Sequence, residues 1–68
     1  MIVLDTSIVS LLFKGDPRGD FYIPHMTGLR TVVSFQTIEE VWYGAYRAGW
    51  GARRKNELSL HLEQYDVV

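Results

Sequence analysis

The sequence predicts an α/β fold in which a short parallel sheet is flanked by helices. An apolar run over residues 1–4 passes directly into Asp5-Thr6-Ser7, which is typical of a buried strand followed by the start of a helix. A second, β-branched run at residues 31–34 precedes a stretch with helical apolar spacing, and a third short run closes the chain at residues 65–68. Strands and helices that alternate in this order predict parallel strands joined by right-handed crossovers.

The first strand is where a site is most naturally expected. Its uninterrupted apolar character predicts a central strand buried on both faces, with Asp5 at its carboxyl end. In open α/β sheets, ligands bind at this edge. The helix that follows should end near Lys14, because Gly15 comes next. Its inner side should be formed by Ile8, Leu11 and Leu12.

The rest of the chain reads as loop, strand, two helices and strand. Residues 15–30 are rich in glycine and proline and predict a loop with at most a short helical turn, held on the core by Phe21, Tyr22 and Ile23. A helix should begin at Ser34, Gln36 or Thr37. Its inner positions are Ile38, Val41, Trp42 and Ala45. The inner positions of the last helix are Leu58, Leu62 and Tyr65.

Length and composition indicate one small domain over residues 1–68. A chain of this size buries only about 60% of its unfolded surface, so we expect marginal stability. The absence of cysteine excludes disulfides and thiolate chemistry. No apolar run approaches the ~20 residues of a membrane span, and no basic segment precedes the first apolar run. We therefore expect no membrane association and a cytoplasmic location.

The net charge of −1 is unevenly distributed. Residues 1–40 carry three basic and five acidic side chains, whereas residues 41–68 carry four and three. Arg53, Arg54 and Lys55 are contiguous in the second part. This division fits a metal site beside a patch that holds phosphate. A solvated turn of helix is the alternative interpretation of the basic run.

Two acids from distant parts of the chain could share a divalent cation. Mg²⁺ and Mn²⁺ prefer oxygen ligands, usually one or two carboxylates together with waters and substrate phosphate. Asp5 is the first candidate, and its alternative role is to cap the helix behind it. Glu39 and Glu40 compete for the second position. Thr37 and Gly44 lie on the same side of the helix as Glu40, one turn before it and one turn after it, and they leave room for a metal. We therefore assign the role of second metal ligand to Glu40 and interpret Glu39 as solvated.

These residues resemble two motifs of the PIN-domain family, and within it of the VapC-like toxins of bacterial and archaeal toxin–antitoxin systems. The first is Leu4-Asp5-Thr6-Ser7, directly after an apolar strand. The second is Ser34-x-x-Thr37-x-x-Glu40-Val41-x-x-Gly44 on a later helix. The family carries L-D-T-[NS] and S-x-x-T-x-x-E-L-x-x-G in this order and at a similar separation.

The resemblance implies a PIN-like three-layer α/β fold and an endoribonuclease that hydrolyses RNA phosphodiester bonds with Mg²⁺ or Mn²⁺. Asp5 and Glu40 would be its catalytic, metal-binding acids. The hydroxyls that orient them would be those of Thr6, Ser7 and Thr37. RNA would be attracted by Arg53, Arg54 and Lys55. The implied partners are an RNA substrate, a cognate antitoxin and a second copy in a homodimer.

The chain departs from the family in matching only the amino-terminal half of a PIN domain. The family completes its acidic cluster with aspartates from the other half, and Asp16, Asp20 and Asp66 are not credible substitutes. Without the strands of that half, we expect the first strand to expose an apolar edge. The alternative function is therefore that of a truncated, non-catalytic PIN fragment that dimerises or binds an antitoxin.

Overall fold

The computed structural model describes residues 1–68 and confirms the predicted α/β class. All three strands are parallel, and their order in the sheet is the order of the chain. The elements are β1 (Ile2–Leu4), α1 (Thr6–Lys14), a 3₁₀ helix (Pro17–Phe21), α2 (Ile23–Met26), β2 (Thr31–Val33), α3 (Phe35–Arg47), α4 (Ala52–Leu62) and β3 (Asp66–Val67). None of these helices has both the length and the apolar character needed to cross a bilayer.

Strand β1 lies at an edge of the sheet, and the prediction of a central strand buried on both faces is wrong. β2 is the central strand, because it pairs with β1 on one side and with β3 on the other. Leu4 is buried, but Val3 is 66% exposed. A run of apolar residues shows that a strand is apolar on both sides, but it does not show whether another layer covers both. The exposed apolar edge expected for β1 is therefore present.

The main hydrophobic cluster lies on one face of the sheet. Leu4 and Val33 are directly opposite each other in register and belong to a cluster with buried side chains of α1, α3 and α4. Val3 and Val32 are also in register but point to the other face, and Val32 is the one buried apolar residue outside that cluster. The helices of this cluster therefore pack on the face of the sheet that carries Leu4 and Val33.

Both ends of α1 and the start of α3 agree with the sequence, whereas Tyr65, expected on the last helix, lies beyond the end of α4 at Leu62. Asp5 is the N-cap of α1, and its Oδ1 accepts the backbone N–H of Ile8 at 3.0 Å. α1 ends at Lys14, where Gly15 adopts the left-handed conformation with φ 68°. Ser34 caps α3 by accepting the backbone N–H of Thr37 at 3.1 Å. These features are local, so a single sequence is sufficient to predict them.

The packing predictions for the first half of the chain are confirmed only in part. In α1, Ile8 and Leu12 pack against the core as expected, but the fully buried residue is Val9, and Leu11 does not join the core cluster. The residues expected to hold the following loop on the core are exposed by 78%, 38% and 49%: Phe21, Tyr22 and Ile23. Met26 packs against the core instead.

Candidate functional site

Asp5 stands between β1 and α1, at the carboxyl end of the strand. Its Oδ1 is engaged by the N–H of Ile8, so it both caps the helix and keeps a fixed side-chain orientation. Its side chain makes no other hydrogen bond, which leaves Oδ2 free, and the residue is exposed. The helix-cap role considered from the sequence is therefore real, and it still leaves one carboxylate oxygen for a ligand.

Glu40 approaches this position from α3 through a contact with Thr6. The Thr6 hydroxyl donates a hydrogen bond to Glu40 Oε1 at 3.2 Å, although the two residues are 34 positions apart in the chain. Because Thr6 follows Asp5 directly, this contact brings the second acid beside the start of α1. The close approach depends on α1 packing against α3 through core residues such as Val9, Val41 and Ala45.

An open depression of about 460 Å³ surrounds this contact and is lined by Thr6, Glu39, Glu40 and Tyr43. Glu39 and Tyr43 are exposed. Tyr43 was not assigned to the site from the sequence, although it lies one helical turn after Glu40, the spacing that places two side chains on the same stretch of helix surface. The depression is wide and open to solvent, as the binding surface for a polymer would be.

The three hydroxyl residues expected to support the acids have different environments. Thr6 contacts Glu40, not its neighbour Asp5. Ser7 is exposed and its side chain makes no hydrogen bond. Thr37 is buried, and its hydroxyl accepts a hydrogen bond from the Ser34 hydroxyl at 3.1 Å, within the cap of α3. Thr6 is therefore the one hydroxyl that contacts a candidate acid.

Asp16 and Asp66 form ion pairs with arginines outside the candidate site. Asp16 receives a two-point contact from the Arg18 side chain, with distances of 3.1 and 2.9 Å, which lowers the pKa of Asp16 to about 2. Asp66 pairs with Arg30 at 2.5 Å, beside the sheet and away from the carboxyl end of β1. No group of three or more acidic, histidine or cysteine side chains is arranged to hold a metal.

The contiguous basic residues of α4 point in three different directions. The Arg53 side chain is 95% exposed and faces Glu57 at 3.6 Å. The Arg54 guanidinium lies 4.3 Å from the centre of the Trp50 ring. The Lys55 ammonium lies 4.8 Å from the Tyr46 ring. Arg54 and Lys55 therefore lie against aromatic rings, whereas Arg53 is directed into solvent.

Asp5, before α1, and Glu40, on α3, are the candidate oxygen donors for a divalent cation. Mg²⁺ is commonly held by one or two carboxylates, with waters and substrate phosphate completing the shell. Asp5 and Glu40 each keep one carboxylate oxygen without a protein partner, since their other oxygens accept from Ile8 and Thr6. These two acids would hold the metal, and its other ligands would come from solvent and substrate.

No family model, no curated protein and no solved structure matches the chain. Functional inference therefore depends on the residues and contacts described above.

Proposed function

We propose that the chain is a PIN-like, VapC-type endoribonuclease that hydrolyses RNA phosphodiester bonds with Mg²⁺ or Mn²⁺ bound by Asp5 and Glu40. One observation carries the proposal. The Thr6 hydroxyl contacts Glu40 across 34 positions of sequence, so the two sequence motifs meet at one end of the sheet. That end is the carboxyl side of β1, where ligands bind in α/β folds.

Each residue has a defined task in the proposed reaction. Asp5 and Glu40 provide negative charge, and the Ile8 N–H and the Thr6 hydroxyl hold the two carboxylates in place. Arg54 and Lys55 attract the RNA backbone by their charge. Arg53 was expected to share this task, but its guanidinium faces Glu57 at 3.6 Å, so the proposal leaves it out. When bound, the cation would activate a water and neutralise charge that develops on the phosphate. An antitoxin partner would regulate the enzyme by covering this surface.

The test is RNA cleavage by the whole chain with Mn²⁺, comparing the parent with Asp5→Asn and Glu40→Gln. Both variants should lose at least ~100-fold in rate, because the loss of outer groups around a metal already costs about 10- to 100-fold. Asparagine is as good an N-cap as aspartate, so Asp5→Asn should retain the fold. Asp20→Asn, which removes an exposed acid outside the site, is the control for charge.

Glu39→Gln distinguishes the two neighbouring glutamates. We expect it to retain more cleavage than Glu40→Gln, because only Glu40 contacts Thr6. Cleavage that is equal in the parent, Asp5→Asn and Glu40→Gln would come from a contaminating nuclease and would reject the proposal. Absence of cleavage in all of them, across a range of RNA substrates, would reject it as well.

A second function, that of a non-catalytic dimerisation or antitoxin-binding module, is favoured by the free edge of β1. An unpaired strand edge offers backbone hydrogen bonds to another chain, and Val3 adds an apolar side chain that is 66% exposed. A second copy of β1 could extend the sheet at this edge. This function does not require Asp5 or Glu40.

Sedimentation velocity over a range of concentrations tests the second function. The parent should self-associate, and Val3→Lys should shift it to monomer because a lysine on an edge strand opposes pairing. Leu60→Lys makes the same change at a residue of α4 that is 59% exposed and should behave like the parent. A parent chain that is monomeric at every concentration would count against self-pairing through β1.

A further inference from the structure

A second concavity, which we call the α1–α3 cavity, adjoins the candidate metal site. It has a volume of about 250 Å³ and lies between α1 and α3, with the start of α4 at one end. The residues that matter for its chemistry are Phe13, Lys14, Glu40, Gly44, Trp50 and Arg54. Glu40 also lines the open depression around Thr6. The two concavities therefore share a wall, and one extended ligand could occupy both.

The side chains of the cavity combine aromatic surface with two cations, Arg54 and Lys14, beside the carboxylate of Glu40. The rings of Phe13 and Trp50 have centres 5.6 Å apart. Arg54 places its guanidinium 4.3 Å from the Trp50 ring and 5.5 Å from the Phe13 ring, and Lys14 contributes a second cation. Arginine and lysine bind phosphate, and aromatic rings stack on bases. A ligand with a negative charge next to a flat ring meets both requirements.

Gly44 lines the cavity without a side chain. A Cβ atom built at this position would meet no other atom within 4 Å, so the glycine is not required by close packing. Glycine in the interior of a helix costs up to about 1 kcal/mol relative to alanine. Alanine at position 44 would stabilise α3, whereas glycine keeps space open beside Glu40.

We propose that the α1–α3 cavity binds one nucleotide of a single-stranded RNA, with Arg54 and Lys14 on its phosphate and the Trp50–Phe13 wall against its base. The assignment of RNA, and of this nucleotide as a neighbour of the cleaved bond, rests on the proposed function. The binding step itself requires neither the metal nor hydrolysis.

Binding is measured by fluorescence anisotropy with a labelled, single-stranded 2′-O-methyl oligoribonucleotide of about ten nucleotides, in EDTA. Under these conditions there is no cleavage. Arg54→Gln should weaken binding by about 10-fold and reduce the slope of log affinity against log salt by about 0.7, the value for one phosphate contact on a single strand. Arg53→Gln is the matched control, since it removes the same charge from the adjacent, 95% exposed side chain. It should bind within about two-fold of the parent.

Gly44→Leu tests the cavity without removing any charge. Leucine is a good helix former and its Cβ meets no atom within 4 Å, so the variant should fold. It should weaken binding by about 10-fold or more, because its side chain occupies the space for the base. Thermal unfolding of Gly44→Leu at or above the temperature of the parent would confirm that the effect is local.

Equal losses in Arg54→Gln and Arg53→Gln, or parent-like binding by Gly44→Leu, would overturn the proposal. An abasic oligomer that binds as tightly as the full oligomer would also overturn it, because a phosphate site alone would then suffice. Loss of binding in Arg54→Gln and Gly44→Leu without RNA cleavage by the parent would support the nucleotide site and reject the nuclease. Cleavage that is unaffected in both variants would reject the nucleotide site and leave the nuclease standing.

Discussion

At the scale of single residues, Thr6 connects the two halves of the candidate site. Its hydroxyl has one partner, Glu40 Oε1 at 3.2 Å. Its neighbour Ser7 carries the same kind of group but is exposed and has no hydrogen-bond partner. Two adjacent hydroxyls therefore provide an internal comparison, in which only one is able to orient a carboxylate.

Thr6→Val should weaken Mn²⁺ binding by about 10- to 100-fold, the usual effect of removing a group that orients a metal ligand. Valine has nearly the same shape, so the backbone should be little changed. Free Mn²⁺ measured by electron paramagnetic resonance gives the affinity without reference to activity. Ser7→Ala should have a much smaller effect. A larger effect of Ser7→Ala than of Thr6→Val would contradict the assignment of the orienting hydroxyl.

At the scale of elements, the helices are defined by their ends. Gly15 ends α1 in a left-handed conformation with φ 68°, and its N–H bonds the carbonyls of Leu11 and Leu12. Gly44 lies inside α3, where its φ is not positive and space is open around it. The same residue type is therefore required by the backbone at one position and unfavourable for the helix at the other.

Replacement of each glycine by alanine should shift the free energy of unfolding in opposite directions. Gly15→Ala should destabilise the chain by about 1 kcal/mol, because an L-residue is strained at positive φ. Gly44→Ala should stabilise it by up to about 1 kcal/mol through helix propensity. Urea unfolding followed by circular dichroism measures both. Equal shifts of the same sign would show that helix α1 does not end as described.

At the scale of the whole molecule, the core is small. The accessible surface is 4760 Å², against about 4,400 Å² for an average folded chain of 7.8 kDa. Eight buried residues form the main cluster, and α4 joins it through Leu58 and Leu62. Near the end of α4, His61 Nε2 lies 2.9 Å from the Tyr65 hydroxyl. The centre of the His61 ring lies 5.4 Å from the centre of the Phe13 ring.

His61 should make stability depend on pH. Burial lowers the pKa of this imidazole below its ordinary value of 6.5. As the pH falls through 6.5, the unfolded chain binds a proton that the folded chain does not, so the free energy of unfolding decreases until the folded pKa is passed. Above about pH 7.5 His61 should have no effect.

Urea midpoints between about pH 7.5 and 5.5 measure this dependence in a range where most carboxylates remain ionised. His61→Gln should remove the dependence, because glutamine does not titrate. His25→Gln is the control, since His25 is exposed, and it should leave the pH dependence as in the parent. If His25→Gln abolished the pH dependence and His61→Gln retained it, the dependence would come from His25 and the prediction for His61 would be wrong.

The sequence by itself determined the order of the strands and main helices, both ends of α1, the start of α3 and the residues Asp5 and Glu40 as candidate acids. Caps, breakers and apolar spacing act within a few residues, so their effects can be read without a fold. Only the tertiary structure decided that β1 lies at an edge, that Thr6 contacts Glu40 and that Arg54, not Arg53, faces an aromatic wall. These features depend on distances between elements that are remote in the chain, and those distances are set by how the helices pack on one face of the sheet.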